Sequence, residues 1–152
     1  MIKNCYVSND VKNFRIDKVV VHRIIYELKK EFGFSVLNLE LNFVSEKTIH
    51  AINKNYLNHD YSTDIITFNY GKTLKEFEGE IFISLPDVKL NAKKYGCKFN
   101  EELLRVIIHG ILHMLGYEDY SKKDYIEMKK KENLFLVKLR HLIRKDRIIY
   151  DN

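Results

Sequence analysis

The chain has 152 residues, of which 45% are hydrophobic and 31% charged; this predicts one globular domain spanning residues 1–152. A single proline and six glycines exclude a low-complexity protein, and two distant cysteines, Cys5 and Cys97, exclude a disulfide framework or a four-thiolate metal site. Neither a long apolar run nor a signal-like N-terminus occurs, so we expect no membrane span and a cytoplasmic location.

The first half of the chain predicts helices and strands in turn. Apolar residues recur every three or four positions over 17–31, which predicts a helix that ends at Gly33. Apolar and polar residues then alternate over 37–43, the pattern of a strand with one buried face. Ser45 is placed to cap a short helix that follows. A first strand is expected near residues 2–7.

The second half begins with two short runs of β-branched and aromatic residues. These runs, at 65–68 and 81–85, predict two more strands. Pro86 suits the first turn of a helix, and Gly96 suits the position after its end. The two residues therefore bound a predicted helix that follows the second strand.

Two further helices complete the prediction. Asn100 is placed to cap a helix that is apolar nearly all round, so this helix should be buried on most sides. A last long helix, roughly 121–145, has one apolar stripe and lysines elsewhere. Because strands and helices mix without strict alternation, we predict an α+β fold with one sheet of about four strands and about five helices.

The positive charge is concentrated at the C-terminal end. Residues 121–152 contain ten Lys and Arg against five Asp and Glu, so the whole net charge of +5 lies there. Such a segment suits a polyanion partner such as RNA, because phosphates attract it at long range. A solvated helix face in a lysine-rich protein is the alternative explanation.

A metal-binding pattern lies within the buried helix. His109 and His113 are four residues apart, so their rings lie on one helix face and can reach one ion. Gly116 can turn the chain back just past the helix, which would bring Asp119 in as a third ligand. Two histidines satisfied within a core are the alternative. The spacing and the apolar surroundings favour a Zn²⁺ site, with another divalent metal left open.

Three protein ligands with a vacant fourth position are typical of a catalytic zinc site in a hydrolase. Zinc peptidases of the HExxH type place a glutamate directly after the first histidine, but this chain has Gly110 there. A peptidase is therefore disfavoured. Glu118 and Asp64 are the candidates for the general base, and a surface charge and a turn cap are their respective alternatives.

Three ordered motifs resemble the YbeY family of rRNA maturation factors. The metal segment from His109 to Asp119 resembles the family's HGxLHxxGYxH. Residues 53–68 resemble its NxxYRxxDxxTDVLSF, and residues 79–84 its GDIxIS strand. The resemblance implies a zincin-like fold with a mixed sheet and with the metal-bearing helix buried on it. It also implies an endoribonuclease that acts on single-stranded RNA in small-subunit rRNA maturation and ribosome quality control.

The chain departs from the family at two positions. Asp119 replaces the third histidine, and Leu57 replaces an arginine thought to contact phosphate or take part in catalysis. An anionic ligand makes the ion less Lewis-acidic and favours a harder metal. Lys54 or His59 could substitute for the arginine only if the loop places them near the cleft.

Two alternative functions remain open beside the nuclease. A non-catalytic ribosome-assembly factor with a structural metal is the first, and hydrolysis of a peptide or other small substrate is the second. The expected partners are ribosomal RNA and the small ribosomal subunit, with no membrane and no DNA. The oligomeric state and the physiological metal are not decided by the sequence.

Overall fold

The computed structural model describes residues 1–59 and 63–151. Within these residues the chain forms six strands and six helices. In chain order they are β1 (Cys5–Asn9), β2 (Phe14–Ile16), α1 (Lys18–Phe32), β3 (Ser35–Val44), α2 (Glu46–Leu57), β4 (Ile65–Asn69), β5 (Glu76–Ser84), α3 (Leu85–Tyr95), α4 (Phe99–Met114), α5 (Lys122–Leu139), α6 (Leu142–Lys145) and β6 (Ile149–Asp151). None of the helices there combines the length and the apolar character needed to cross a membrane.

The main sheet has four strands in the order β1-β3-β5-β4. The first three are parallel, and β4 pairs antiparallel with β5. The predicted α+β class and mixed four-stranded sheet are confirmed. Leu39, Leu41 and Phe43 are fully buried on one face, as their alternation predicted. Leu37 is 52% exposed, because the β3–β5 register shifts between Val36 and Asn38.

Helix α4 lies in the core, as predicted. It contacts α3, α5, β4 and β5, so apolar residues all round it find partners. Seven of its side chains have no exposed surface: Leu103, Leu104, Ile107, Ile108, Ile111, Leu112 and Met114. A helix enclosed in this way holds any polar side chain that it carries in a fixed position.

Most of the predicted helix ends are confirmed. Ser45 accepts a hydrogen bond from the Thr48 backbone at the start of α2, and Gly33 and Gly96 end their helices in the left-handed conformation. The prediction for Asn100 was wrong. The residue that precedes α4 is Lys98, so the helix starts two residues earlier than a cap at Asn100 predicts. The Asn100 side chain is instead used at long range, since it hydrogen-bonds the backbone of residues 148 and 149.

The predicted last helix is divided into α5 and α6, so six helices stand where about five were expected. The division follows a tightened turn, in which the Ile143 N–H bonds to the Arg140 carbonyl at 3.2 Å. Beyond α6, β6 pairs with β2 in a second, two-stranded sheet. Neither of these three-residue strands was predicted. Their pairing and the Asn100 contacts fasten the chain end beside the start of α4.

Candidate metal centre

His109 and His113 face each other near the end of α4. Their Nε2 atoms are 2.9 Å apart, and their rings meet edge to face at 83°. Both side chains are 21% exposed, so each is held by packing yet open to solvent on one side. Helical spacing alone produces this approach, because residues i and i+4 lie one turn apart on the same face.

A glycine turn brings Asp119 back to the two histidines. Gly116 has a φ of +97°, and its N–H bonds to the His113 carbonyl while Tyr117 N–H bonds to the Leu112 carbonyl. This is the predicted reversal at the helix end. Asp119 Oδ2 then lies 3.6 Å from each histidine Nε2. The structure therefore brings the three predicted residues together, and their role as metal ligands stays a prediction.

The spacing of these three donors fits a divalent metal. Their ligand atoms all lie within 4.8 Å of one another. A tetrahedral zinc with bonds of about 2.0–2.1 Å holds its donors about 3.3 Å apart, which lies between the observed 2.9 and 3.6 Å. Two imidazole nitrogens and one carboxylate oxygen are also a donor set that suits zinc.

Glu132 on α5 lies behind His109. Its Oε2 is 2.6 Å from His109 Nδ1, and its side chain is only 1% exposed. Its Oε1 faces Lys129 Nζ at 3.4 Å and an Arg105 guanidinium nitrogen at 3.5 Å. Burial opposes ionisation, but the hydrogen bond and charge of His109, together with the two cations, outweigh it and lower the pKa of Glu132.

Glu132 was not singled out from the sequence, although a signal was present. It stands four residues after Met128 and three before Phe135, both of which are buried on the apolar stripe of α5. A carboxylate within such a stripe needs a buried partner. Since the chain offers several histidines and cations, the stripe alone could not identify that partner.

Burial and neighbouring charges act on His113 in opposite directions. Burial lowers the pKa of His113, and the charge of His109 lowers it further. The carboxylates of Asp119 and Glu118 and a backbone hydrogen bond with Tyr117 oppose this without reversing it. His113 therefore favours the neutral form, which is the form that binds a metal.

The two candidate bases occupy different environments. Glu118 is exposed, and its charge acts on His113. Asp64 is largely buried, which raises its pKa, while the charge of His109 and hydrogen bonds from the Asp64 and Ile65 backbone oppose that shift. Asn91 also approaches its Oδ2 at 3.5 Å. Asp64 thus has the backbone contacts of a turn-shaping residue and still lies within electrostatic reach of His109.

Gly110 allows α4 to pack closely on the sheet. A Cβ at this position would lie 2.8 Å from Ile65 Cδ1 and 3.5 Å from Ile81 Cγ2. The position that carries the glutamate in HExxH peptidases therefore faces β4 and β5, with no space for a longer side chain. This gives a steric reason for disfavouring a peptidase, in addition to the absence of the base.

The segment that carries the second family motif is exposed at the end of α2. Leu57, Lys54 and His59 are all exposed there, and the helix ends at Asn58 in the left-handed conformation. Residues 60–62 of the motif lie outside the described residues. A stand-in for the family arginine therefore remains a prediction.

Gly116→Ala should weaken divalent-ion binding about tenfold. Alanine at a positive φ costs about 1–2 kcal/mol, and its Cβ would lie 2.8 Å from Leu74 Cδ1. A shift of the turn would displace Asp119, and a loss of about 1.4 kcal/mol in binding is tenfold. Zn²⁺ competition against a chelator measures this change.

Gly33→Ala is the matched control for that variant. Gly33 also has a positive φ, of +69°, but nothing lies within 4 Å of an added Cβ. It should lower the thermal stability by a similar amount and leave Zn²⁺ affinity unchanged. Equal Zn²⁺ affinity of the two variants would show that the Gly116 turn does not set the site.

Comparison with known proteins agrees with this geometry. A sequence profile described as Endoribonuclease YbeY matches residues 2–140. The Endoribonuclease YbeY of Chlorobaculum parvum is 41% identical over 125 residues, covering 82% of this chain and 88% of the relative. That of Porphyromonas gingivalis is 38% identical over 143 residues, covering 94% of each.

A solved structure extends the likeness to the fold. The solution structure of TM1509 from Thermotoga maritima superimposes with a TM-score of 0.60 at 27% identity, covering 93% of this chain and 95% of that one. The family resemblance noted in the three sequence motifs is thus confirmed over nearly the whole chain. The chain belongs to the YbeY endoribonuclease family.

Proposed function

We propose that this chain is a metal-dependent endoribonuclease that cleaves single-stranded RNA in the cytoplasm. Its work would lie in small-subunit rRNA maturation and ribosome quality control, with ribosomal RNA on the small subunit as its partner. The observation that carries the proposal is the cluster of His109, His113 and Asp119, partly exposed to solvent, in a chain of this family. Zn²⁺ is the proposed metal.

The chain's own residues would hold the ion and attract the substrate. His109, His113 and Asp119 would be its ligands, and the bound ion would supply Lewis acidity toward a phosphodiester and activate water. Lys131 Nζ lies 5.1 Å from the Tyr117 ring centroid, within the turn that carries Asp119. Lys129 stands two residues earlier and faces Glu132 at 3.4 Å. The basic segment therefore begins beside the cluster, where it would attract an RNA backbone.

Glu118 is the better placed of the two proposed bases. Its carboxylate is exposed and one residue from Asp119, so it can exchange protons with solvent. The Asp64 carboxylate already accepts backbone hydrogen bonds. Asp64 would act on the site through its charge.

The residue at position 57, Leu57, supports a second candidate function. An exposed leucine replaces the arginine of the family motif, and this loss favours a ribosome-assembly factor in which the metal is structural. Such a protein would bind ribosomal subunits without turnover. The close packing of Gly110 on Ile65 does not distinguish the nuclease from the assembly factor. It is evidence only against a peptidase.

Removal of the metal should abolish RNA cleavage, and a divalent ion should restore it. The purified chain would first be analysed for bound metals. It would then be stripped with a chelator and titrated with Zn²⁺, Mn²⁺ or Mg²⁺ on a single-stranded RNA and on DNA of the same sequence. Cleavage of the RNA but not of the DNA, in proportion to the amount of bound metal, supports the proposal. Full cleavage by the stripped protein contradicts it.

A further inference from the structure

We propose that Glu132 is a positioning residue, which holds the His109 ring so that Nε2 faces the metal position. The role rests on the proposed function, because it concerns the same site. It adds a residue from a different helix, some 13 positions beyond the last proposed ligand, Asp119. Glu132 would touch neither the ion nor the RNA.

The contact itself is short, and its Glu132 partner is buried. Glu132 Oε2 lies 2.6 Å from His109 Nδ1, and the Glu132 side chain is 1% exposed. Water therefore has little access to the Glu132 carboxylate. A hydrogen bond between a ring N–H and a carboxylate of this length is charge-assisted and stronger than a neutral one.

The chemistry of the two groups fixes the tautomer. An ionised carboxylate only accepts hydrogen bonds, so His109 must donate from Nδ1. In the neutral ring the lone pair then lies on Nε2. That atom is the one that faces His113 Nε2 at 2.9 Å and Asp119 Oδ2 at 3.6 Å. Without Glu132, either nitrogen could carry the proton, and the ring could turn.

Cations on both helices hold Glu132 in turn. Its Oε1 faces Lys129 on α5 and Arg105 on α4. Arg105 is itself held by a 2.9 Å hydrogen bond to Asn133. The carboxylate therefore has a partner for each oxygen, which is the condition under which a buried charge is tolerated. Since these contacts cross from α4 to α5, they also tie the basic helix to the metal-bearing one.

Carboxylates that orient metal-bound histidines have measurable effects in other sites. Loss of such a partner costs about 10–100-fold in metal affinity. We therefore expect Glu132→Gln to raise the Kd for Zn²⁺ by about 10–100-fold, because glutamine keeps the size of the side chain and removes the charge. The probe is Zn²⁺ alone, competed against a chromophoric chelator, so no RNA is needed.

Glu127→Gln is the matched control. Glu127 lies on the same helix and is exposed, so the substitution makes the same chemical change away from the site. It should leave the Kd for Zn²⁺ unchanged. Thermal unfolding of both variants without metal shows whether either one is folded. A folded Glu132→Gln variant with the Kd of the control would overturn the proposal.

A measurement on the unaltered chain covers the case in which Glu132→Gln does not fold. Long-range ¹H–¹⁵N NMR, in the pH range where the ring is neutral, reports which His109 nitrogen carries the proton. We expect a protonated Nδ1 and an unprotonated Nε2 in the metal-free protein. A protonated Nε2, or an even mixture of tautomers, would overturn the proposal.

The two proposals fail in different ways. If the unaltered chain binds no divalent ion, the proposed function fails, and the NMR result still decides the tautomer. If the chain binds Zn²⁺ and cleaves RNA while Glu132→Gln matches the control, only the positioning role fails.

Discussion

His113→Ala should lower RNA cleavage by at least about 1,000-fold and leave the fold largely intact. Removal of one imidazole leaves two donors, His109 and Asp119, which is too few to hold a catalytic ion firmly. A bound ion is expected to supply about 4 kcal/mol of transition-state stabilisation, which corresponds to about 1,000-fold in rate. The fold should stay largely intact, because the side chain ends at the cleft and its loss leaves a space open to solvent and no closed cavity.

The measurement is single-turnover cleavage of a labelled single-stranded RNA, with circular dichroism to check the fold. His141→Ala serves as the control, because His141 is exposed near the C-terminal end and lies outside the cluster. Cleavage at full rate by contaminant-free His113→Ala protein would overturn the nuclease assignment to this site.

The same variant separates the two candidate functions. A nuclease with a lost ligand should fail to correct a ribosome-assembly defect in cells that lack the protein. A ribosome-assembly factor that needs the fold but not turnover should correct it. Rescue by His113→Ala, in a variant shown to be inactive on RNA, would favour the second candidate.

Most of the fold could be predicted from patterns among residues that are close in sequence. The apolar character of α4, the alternation in β3, and the caps at Ser45, Gly33 and Gly96 all depend on residues a few positions apart. The candidate site was predictable for the same reason. His109, His113, Gly116 and Asp119 lie within 11 consecutive residues, so helix geometry and one turn bring them together.

Contacts between residues that are far apart in sequence were not predicted. Asn100 looked like a helix cap because it precedes an apolar run, yet its amide bonds to the chain 48 residues later. Glu132 meets His109 across 23 positions and two helices. Strands β2 and β6, of three residues each, are stabilised by pairing across the whole chain length. A local pattern can mark such a residue as buried, as the apolar stripe of α5 does for Glu132, but it does not identify the distant partner.

Gly110→Glu should unfold the protein and should not create a peptidase. The substitution creates the HExxH motif in the sequence. In the structure, however, the new side chain would point at Ile65 and Ile81, with the first atom already 2.8 Å from Ile65 Cδ1. A carboxylate forced into that apolar contact would cost about 4 kcal/mol or more, from overpacking and an unpaired buried charge.

Such a loss approaches the total stability of an ordinary domain, about 5–15 kcal/mol. Urea unfolding monitored by circular dichroism measures it.

Gly110→Ala should stay within about 1 kcal/mol of the unaltered chain, because the gain in helix propensity offsets a contact that the Ile65 terminal methyl can relieve. Val137→Glu is the control for the charge, since Val137 on α5 is 67% exposed. A stable Gly110→Glu variant that hydrolyses peptides would show that α4 can move away from the sheet. If the variant is unfolded, packing explains the glycine, and the missing peptidase base is a consequence of how closely α4 lies on β4 and β5.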